Sequence, residues 1–102
     1  MGNRSLFKMQ SKSIYKVPHG KLLKISLIYD KKKRSIDKIN IMGDFFAYPE
    51  EAIETMEDEL KNISLDKKSL LDKINKIIKK NNIEFIGLDA EGLTTGILMC
   101  LK

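Results

Sequence analysis

The order of patterns along the chain predicts an α+β fold: a small antiparallel sheet of two to three strands, followed by two to three helices packed on one face. Between residues 21 and 42 apolar side chains recur at every second position, the period of a strand. From residue 49 onward they recur at spacings of three and four, the period of a helix. The strands also come as a block before the helices, the order of an α+β chain.

Residues 1–12 read as a flexible basic N-terminal segment and residues 13–102 as a single domain. Ser13 to Val17 is a short strand, stopped by the Pro18-His19-Gly20 turn. Lys21 to Tyr29 alternates, with Leu23, Ile25, Leu27 and Tyr29 on one face and Lys24 and Ser26 on the other. Leu22 and Ile28 share that second face. After the charged turn Asp30 to Ser35, Ser35 to Met42 gives the next strand, with Ile39 and Ile41 set against Lys38 and Asn40. So short a connection makes the pair antiparallel.

Pro49 stands where a helix would begin, since its missing N–H has no partner to lose there. Ala52, Ile53, Met56 and Leu60 form its apolar stripe, with Glu50, Glu51 and Glu54 near its positive end. Glu57, Asp58 and Glu59 crowd the other end, where the macrodipole disfavours them. Asp66 caps a second helix, Leu65 and Leu70 have the spacing of a hydrophobic staple, and Asn81 or Asn82 supplies the left-handed stop. Asp89 is positioned to cap a last helix, but Gly92 and Gly96 each weaken it by about 1 kcal/mol. Ile97 to Leu101 fits a strand as well.

A length of 102 residues allows one modest core. An apolar fraction of 42% and a charged fraction of 32% are those of a globular domain. No apolar run approaches the roughly 20 residues that span a bilayer, so no membrane partner is expected. Cys100 is the only cysteine, which excludes an intrachain disulfide and fits a reducing, cytoplasmic setting.

The net charge of +5 is unevenly spread. Residues 1–43 hold eleven Lys and Arg against Asp30 and Asp37, whereas residues 44–60 hold seven acids and no base. A basic sheet beside an acidic helix describes a two-sided interaction surface rather than a uniform nucleic-acid binder. The run Lys31-Lys32-Lys33-Arg34 reads as a solvated hairpin tip; no aromatics interleave it for base stacking.

Catalytic equipment is missing. There is no phosphate-binding glycine loop, no paired metal ligands and no nucleophile–histidine–acid set. His19 lies in a turn and Cys100 sits between Met99 and Leu101 as a core residue. No catalytic residue and no metal ligand are therefore expected. The segment Gly43-Asp44-Phe45-Phe46-Ala47-Tyr48-Pro49-Glu50 stands out, because it carries three of the seven aromatics. Neighbouring side chains rarely point the same way, so one phenylalanine is expected to plug the core while the other faces a partner. Gly43 is expected to take a positive φ, and Asp44 to bond nearby backbone N–H groups.

The stretch His19-Gly20-Lys21-Leu22-Leu23-Lys24-Ile25-Ser26-Leu27 resembles the strand that opens the C-terminal accessory domain of lipoate–protein ligases. Ile39-Asn40-Ile41-Met42-Gly43-Asp44-Phe45-Phe46 with Pro49-Glu50 is similar to that family's I-x-I-x-G-D-F-F-x-x-P-E element, and the acidic helix follows in the same place. One departure is His19, where the family usually has glycine. The resemblance implies the small accessory subunit of a two-part ligase, inactive alone, of a kind notable in archaea. It implies a catalytic ligase subunit as heterodimeric partner, with ATP, Mg2+ and lipoate bound there and no cofactor on this chain. It further implies lipoyl-acceptor domains as indirect partners. The candidate partner interface is then Lys21, Gly43, Asp44, Phe45 and Phe46, with Pro49 and Glu50. A protein-binding scaffold of the sulfur-transfer type and, more weakly, a small RNA-binding protein are the competing readings.

Overall fold

Every second side chain of strand β2 (Leu22–Asp30) is driven out of water: Leu23, Ile25, Leu27 and Tyr29 are buried in the computed structural model, which describes residues 7–101. β2 is the centre of an antiparallel sheet between β1 (Lys8–Lys16) and β3 (Ser35–Gly43). The strand expected at Ser13 therefore starts five residues earlier, and Lys8 to Lys12 are not part of a flexible lead-in. Lys8 opposes Asp30 and Lys16 opposes Leu22, so β1 runs the full length of its neighbour. Backbone pairing along that whole edge offsets the absence of apolar alternation at its start. Residues 1–6 of the expected N-terminal segment lie outside the described residues.

A register shift lets β3 bury more than its alternation promised. Ile28 opposes Lys38 but Tyr29 opposes Ile36, so Asp37 is passed over and Ile36 joins Ile39 and Ile41 on the inner face. The Lys31-Lys32-Lys33-Arg34 tip is exposed, as expected. The outer edge of β3 is partly covered by residues 62–65: Ile36 N–H donates to Ile63 O, Asn62 N–H to Ile36 O and Leu65 N–H to Arg34 O.

Helix α1 (Ala52–Glu59) begins three residues after Pro49, not at it. A turn comes first, in which Ala52 N–H donates to Pro49 O at 2.9 Å. No side chain caps this helix. A cap contributes about 1 kcal/mol, whereas burying Met56 and Leu60 contributes roughly 1.5–3 kcal/mol each, so packing holds α1 in place. Helix α2 (Lys67–Lys80) is capped by Asp66, whose carboxylate accepts Ser69 N–H at 2.8 Å, and Asn82 takes the left-handed stop.

The C-terminal segment resolves as helix α3 (Ala90–Leu98), with Asp89 accepting Gly92 N–H at 2.6 Å. Its glycines have a packing reason. A Cβ on Gly96 would come 2.7 Å from Leu23 Cδ2, and the Ser13 hydroxyl donates to Gly96 O at 2.7 Å. α3 can lie this close to β1 and β2 only because Gly96 has no side chain. Two short strands, β4 (Phe46–Tyr48) and β5 (Glu84–Ile86), form a second antiparallel sheet that the sequence pattern did not reveal. No helix among the described residues is long and apolar enough to cross a membrane.

Candidate partner interface

Three backbone bonds assemble the corner where the expected interface lies. Val17 N–H donates to Lys21 O at 3.1 Å, Lys21 N–H to Gly87 O at 2.8 Å and Asp44 N–H to Leu22 O at 3.0 Å. The start of β2, the end of β3 and the residue after β5 are thus tied together. Gly43 has φ +153°, and a Cβ there would collide with Leu22 O, so the chain crosses β2 at a distance open only to glycine. The Lys21 stem fills the space that a Cβ on Gly87 would need.

The two phenylalanines part as expected. Phe45 is half-buried, packing on the core and meeting the Phe85 ring edge-on at 6.4 Å between centroids. Phe46 points outward and is 61% exposed. In the β4–β5 sheet Phe46 opposes Ile86, and Tyr48 lies two residues along the same face, so three half-exposed or more apolar side chains form one patch. Ile86 was not anticipated. Its signal is faint: buried Ile83 and half-buried Phe85 alternate with exposed Glu84 and Ile86 between Asn82 and Gly87, over too few residues to establish a period.

Asp44 departs from expectation. Its own N–H is what bonds to the backbone; its carboxylate is exposed and has neither a hydrogen-bond nor an ion-pair partner among the described residues. Lys21 is exposed as well, and the two form no ion pair. A cation and a carboxylate thus stand unneutralised beside an apolar patch. Pro49, after a cis Tyr48–Pro49 bond, and Glu50 are exposed, but Glu50 lines a separate depression with Glu51, Ile53 and Glu54.

The carboxyls held below their ordinary range lie elsewhere, and each has a structural cause. Asp30 accepts the backbone N–H groups of Lys33 and Lys32, Glu59 bonds Lys80 and then Asn81, and Asp66 accepts the Ser69 N–H and hydroxyl. His19 is an exposed turn residue with φ 59°, and Cys100 is fully buried. Among the described residues no three His, Cys, Asp or Glu side chains gather as metal ligands would.

The model of the bacterial lipoate protein ligase C-terminus matches residues 15–95. The chain belongs to that family. The matched span runs from Tyr15 in β1 to Thr95 in α3 and takes in the whole lipoate-ligase C-terminus corner described above. A solved structure also matches, from an archaeal lipoylation system: a bi-partite lipoate protein ligase and its E2 lipoyl domain from Thermoplasma acidophilum. The similarity has a TM-score of 0.74 at 27% identity and covers 88% of this chain and 96% of that one. No curated protein matches.

Proposed function

We propose that this lipoate-ligase C-terminal domain is the accessory subunit of a two-part lipoate–protein ligase, working in the cytoplasm as a heterodimer with a separate catalytic subunit. The observation that carries the reading is the 96% coverage of a chain from a bi-partite ligase system, because a matched chain of that size is itself only this domain. The reaction has two steps. The lipoate carboxylate attacks the α-phosphorus of ATP and expels pyrophosphate, giving lipoyl-adenylate; a lysine amine of an acceptor domain then takes the acyl group and releases AMP. ATP, Mg2+ and lipoate belong to the catalytic partner.

A domain without reacting groups assists chemistry through binding energy. By docking better to the adenylation-competent conformer of the partner, it raises that conformer's population by its differential affinity. The Phe46–Tyr48–Ile86 patch with Asp44 and Lys21 has the makeup of such a contact, an aromatic anchor beside charges. The alternative, a sulfur-transfer scaffold, calls for an accessible thiol, and Cys100 is buried.

Phe46→Ser, Asp44→Ala and Lys21→Ala test the assignment. All three side chains are exposed, so the thermal transition is expected to stay within a few degrees of wild type. Phe46→Ser is expected to weaken co-purification with the catalytic subunit by about thirtyfold, the effect of removing a hot spot of roughly 2 kcal/mol. The two charge variants weaken it less and slow adenylation with it. Unchanged partner affinity in all three would remove this corner from the interface.

A further inference from the structure

The three-stranded sheet carries α1 and α3 on its inner face only, and the opposite face is an open trough of about 430 Å³. Its lining interleaves cations with apolar side chains. Ile14, Lys24 and Met42 lie opposite one another across the three strands. Lys12 lies in the next row, and Ile28 and Lys38 share the row beyond it. Ile14 is 64% and Met42 51% exposed. No carboxylate lines the trough, and the ion pairs of the described residues leave out Lys12, Lys24 and Lys38. Apolar groups on an open sheet face, ringed by three unneutralised lysines, describe a binding surface rather than a solvated one.

Its chemistry selects the occupant. A second copy of this chain would bring lysines against lysines, and like charges across an interface oppose docking. A nucleic acid would want stacking platforms, and no aromatic lines the trough. An acidic protein surface with an apolar centre fits both the charge and the shape. An accessory ligase subunit meets two protein partners of unlike lifetime. A lasting partner is held by an aromatic, largely apolar contact, whereas a partner that must come and go at every turnover is captured by complementary charge, which raises the on-rate. The aromatic corner suits the first and the lysine trough the second.

We infer that the open sheet face docks the lipoyl-acceptor domain directly, through carboxylates the acceptor presents around an apolar centre. This rests on the reading of the chain as a ligase accessory subunit. The test is the triple variant Lys12→Gln/Lys24→Gln/Lys38→Gln, assembled with the catalytic subunit. Adenylate formation without acceptor is expected to match wild type. In acyl transfer, KM for the acceptor is expected to rise about tenfold, the combined effect of three exposed charge pairs, with kcat unchanged. Added salt should raise the acceptor KM of the wild type steeply and that of the variant hardly at all. An unchanged KM and salt dependence would overturn the inference, and so would lost adenylation or lost co-purification, which would give this face to the catalytic subunit.

A second readout separates this inference from the reading beneath it. Wild-type chain that never stimulates adenylation would sink the ligase assignment, whatever the trough does. Independently, the isotope-labelled full chain is titrated with the acceptor domain. Amide shifts centred on Lys12, Lys24 and Lys38, absent in the triple variant, are expected; no binding by the wild-type chain, or shifts confined to other surfaces, would overturn the trough assignment.

Discussion

Asp66 and Asp89 each turn an extended residue into a helix start by accepting a backbone N–H three residues on, which is why both were legible in the sequence. Removing the carboxylate at Asp89 leaves the Gly92 N–H without its partner. Asp89→Ala is expected to lower stability by about 1 kcal/mol in urea unfolding, and Asp89→Asn to restore most of it. The depressed carboxyls add a pH dependence. Asp30, Asp66 and Glu59 are each held below the ordinary carboxylate range in the folded chain, so each contributes stability that is fully present above the unfolded value. That stability is lost as pH falls through the folded values. Thermal melts from about pH 5 downward are expected to show a falling limb, shallower in Asp66→Asn. Glu57 and Glu59 were opaque because their partners are distant in sequence. Glu57 accepts Ile41 N–H at 2.7 Å from β3, and Lys80 of α2 pairs with Glu59 at 2.9 Å, outweighing an unfavourable dipole.

At the scale of elements, the strands that alternate were readable and those defined by pairing were not. β2 buries every second side chain and declares itself. β1 from Lys8 to Lys12 exists because β2 offers it a full edge, and three-residue β4 and β5 are too short to show a period. The candidate site divides the same way: Gly43 to Phe46 stood out by composition, while Ile86 reached the patch only through the β4–β5 pairing. α3 was ambiguous between helix and strand because Gly92 and Gly96 depress helix propensity, and the reasons lie outside the helix: Val17 packs at Gly92 and Leu23 of β2 at Gly96. Gly96→Val puts a branched Cβ 2.7 Å from Leu23 Cδ2 and is expected to destabilise the domain by about 1–3 kcal/mol in chemical denaturation. A neutral result would mean that α3 is not seated on the sheet at this contact.

Taken as a whole, the molecule separates what the two ends of its charge distribution do. The basic first half of the chain builds the sheet, leaving lysines on its open side, and the acidic helix α1 packs behind β3. The aromatic corner lies at the end of the same sheet, where β3 leads into β4. One domain therefore presents two surfaces of different chemistry, an aromatic corner and a lysine-lined sheet face. The most direct test mixes purified catalytic subunit, lipoate, ATP and Mg2+ with and without this chain and follows pyrophosphate release. Release is expected from the pair and from neither protein alone. Lipoyl-adenylate formed by this chain by itself, or full activity of the catalytic subunit without it, would contradict the accessory role.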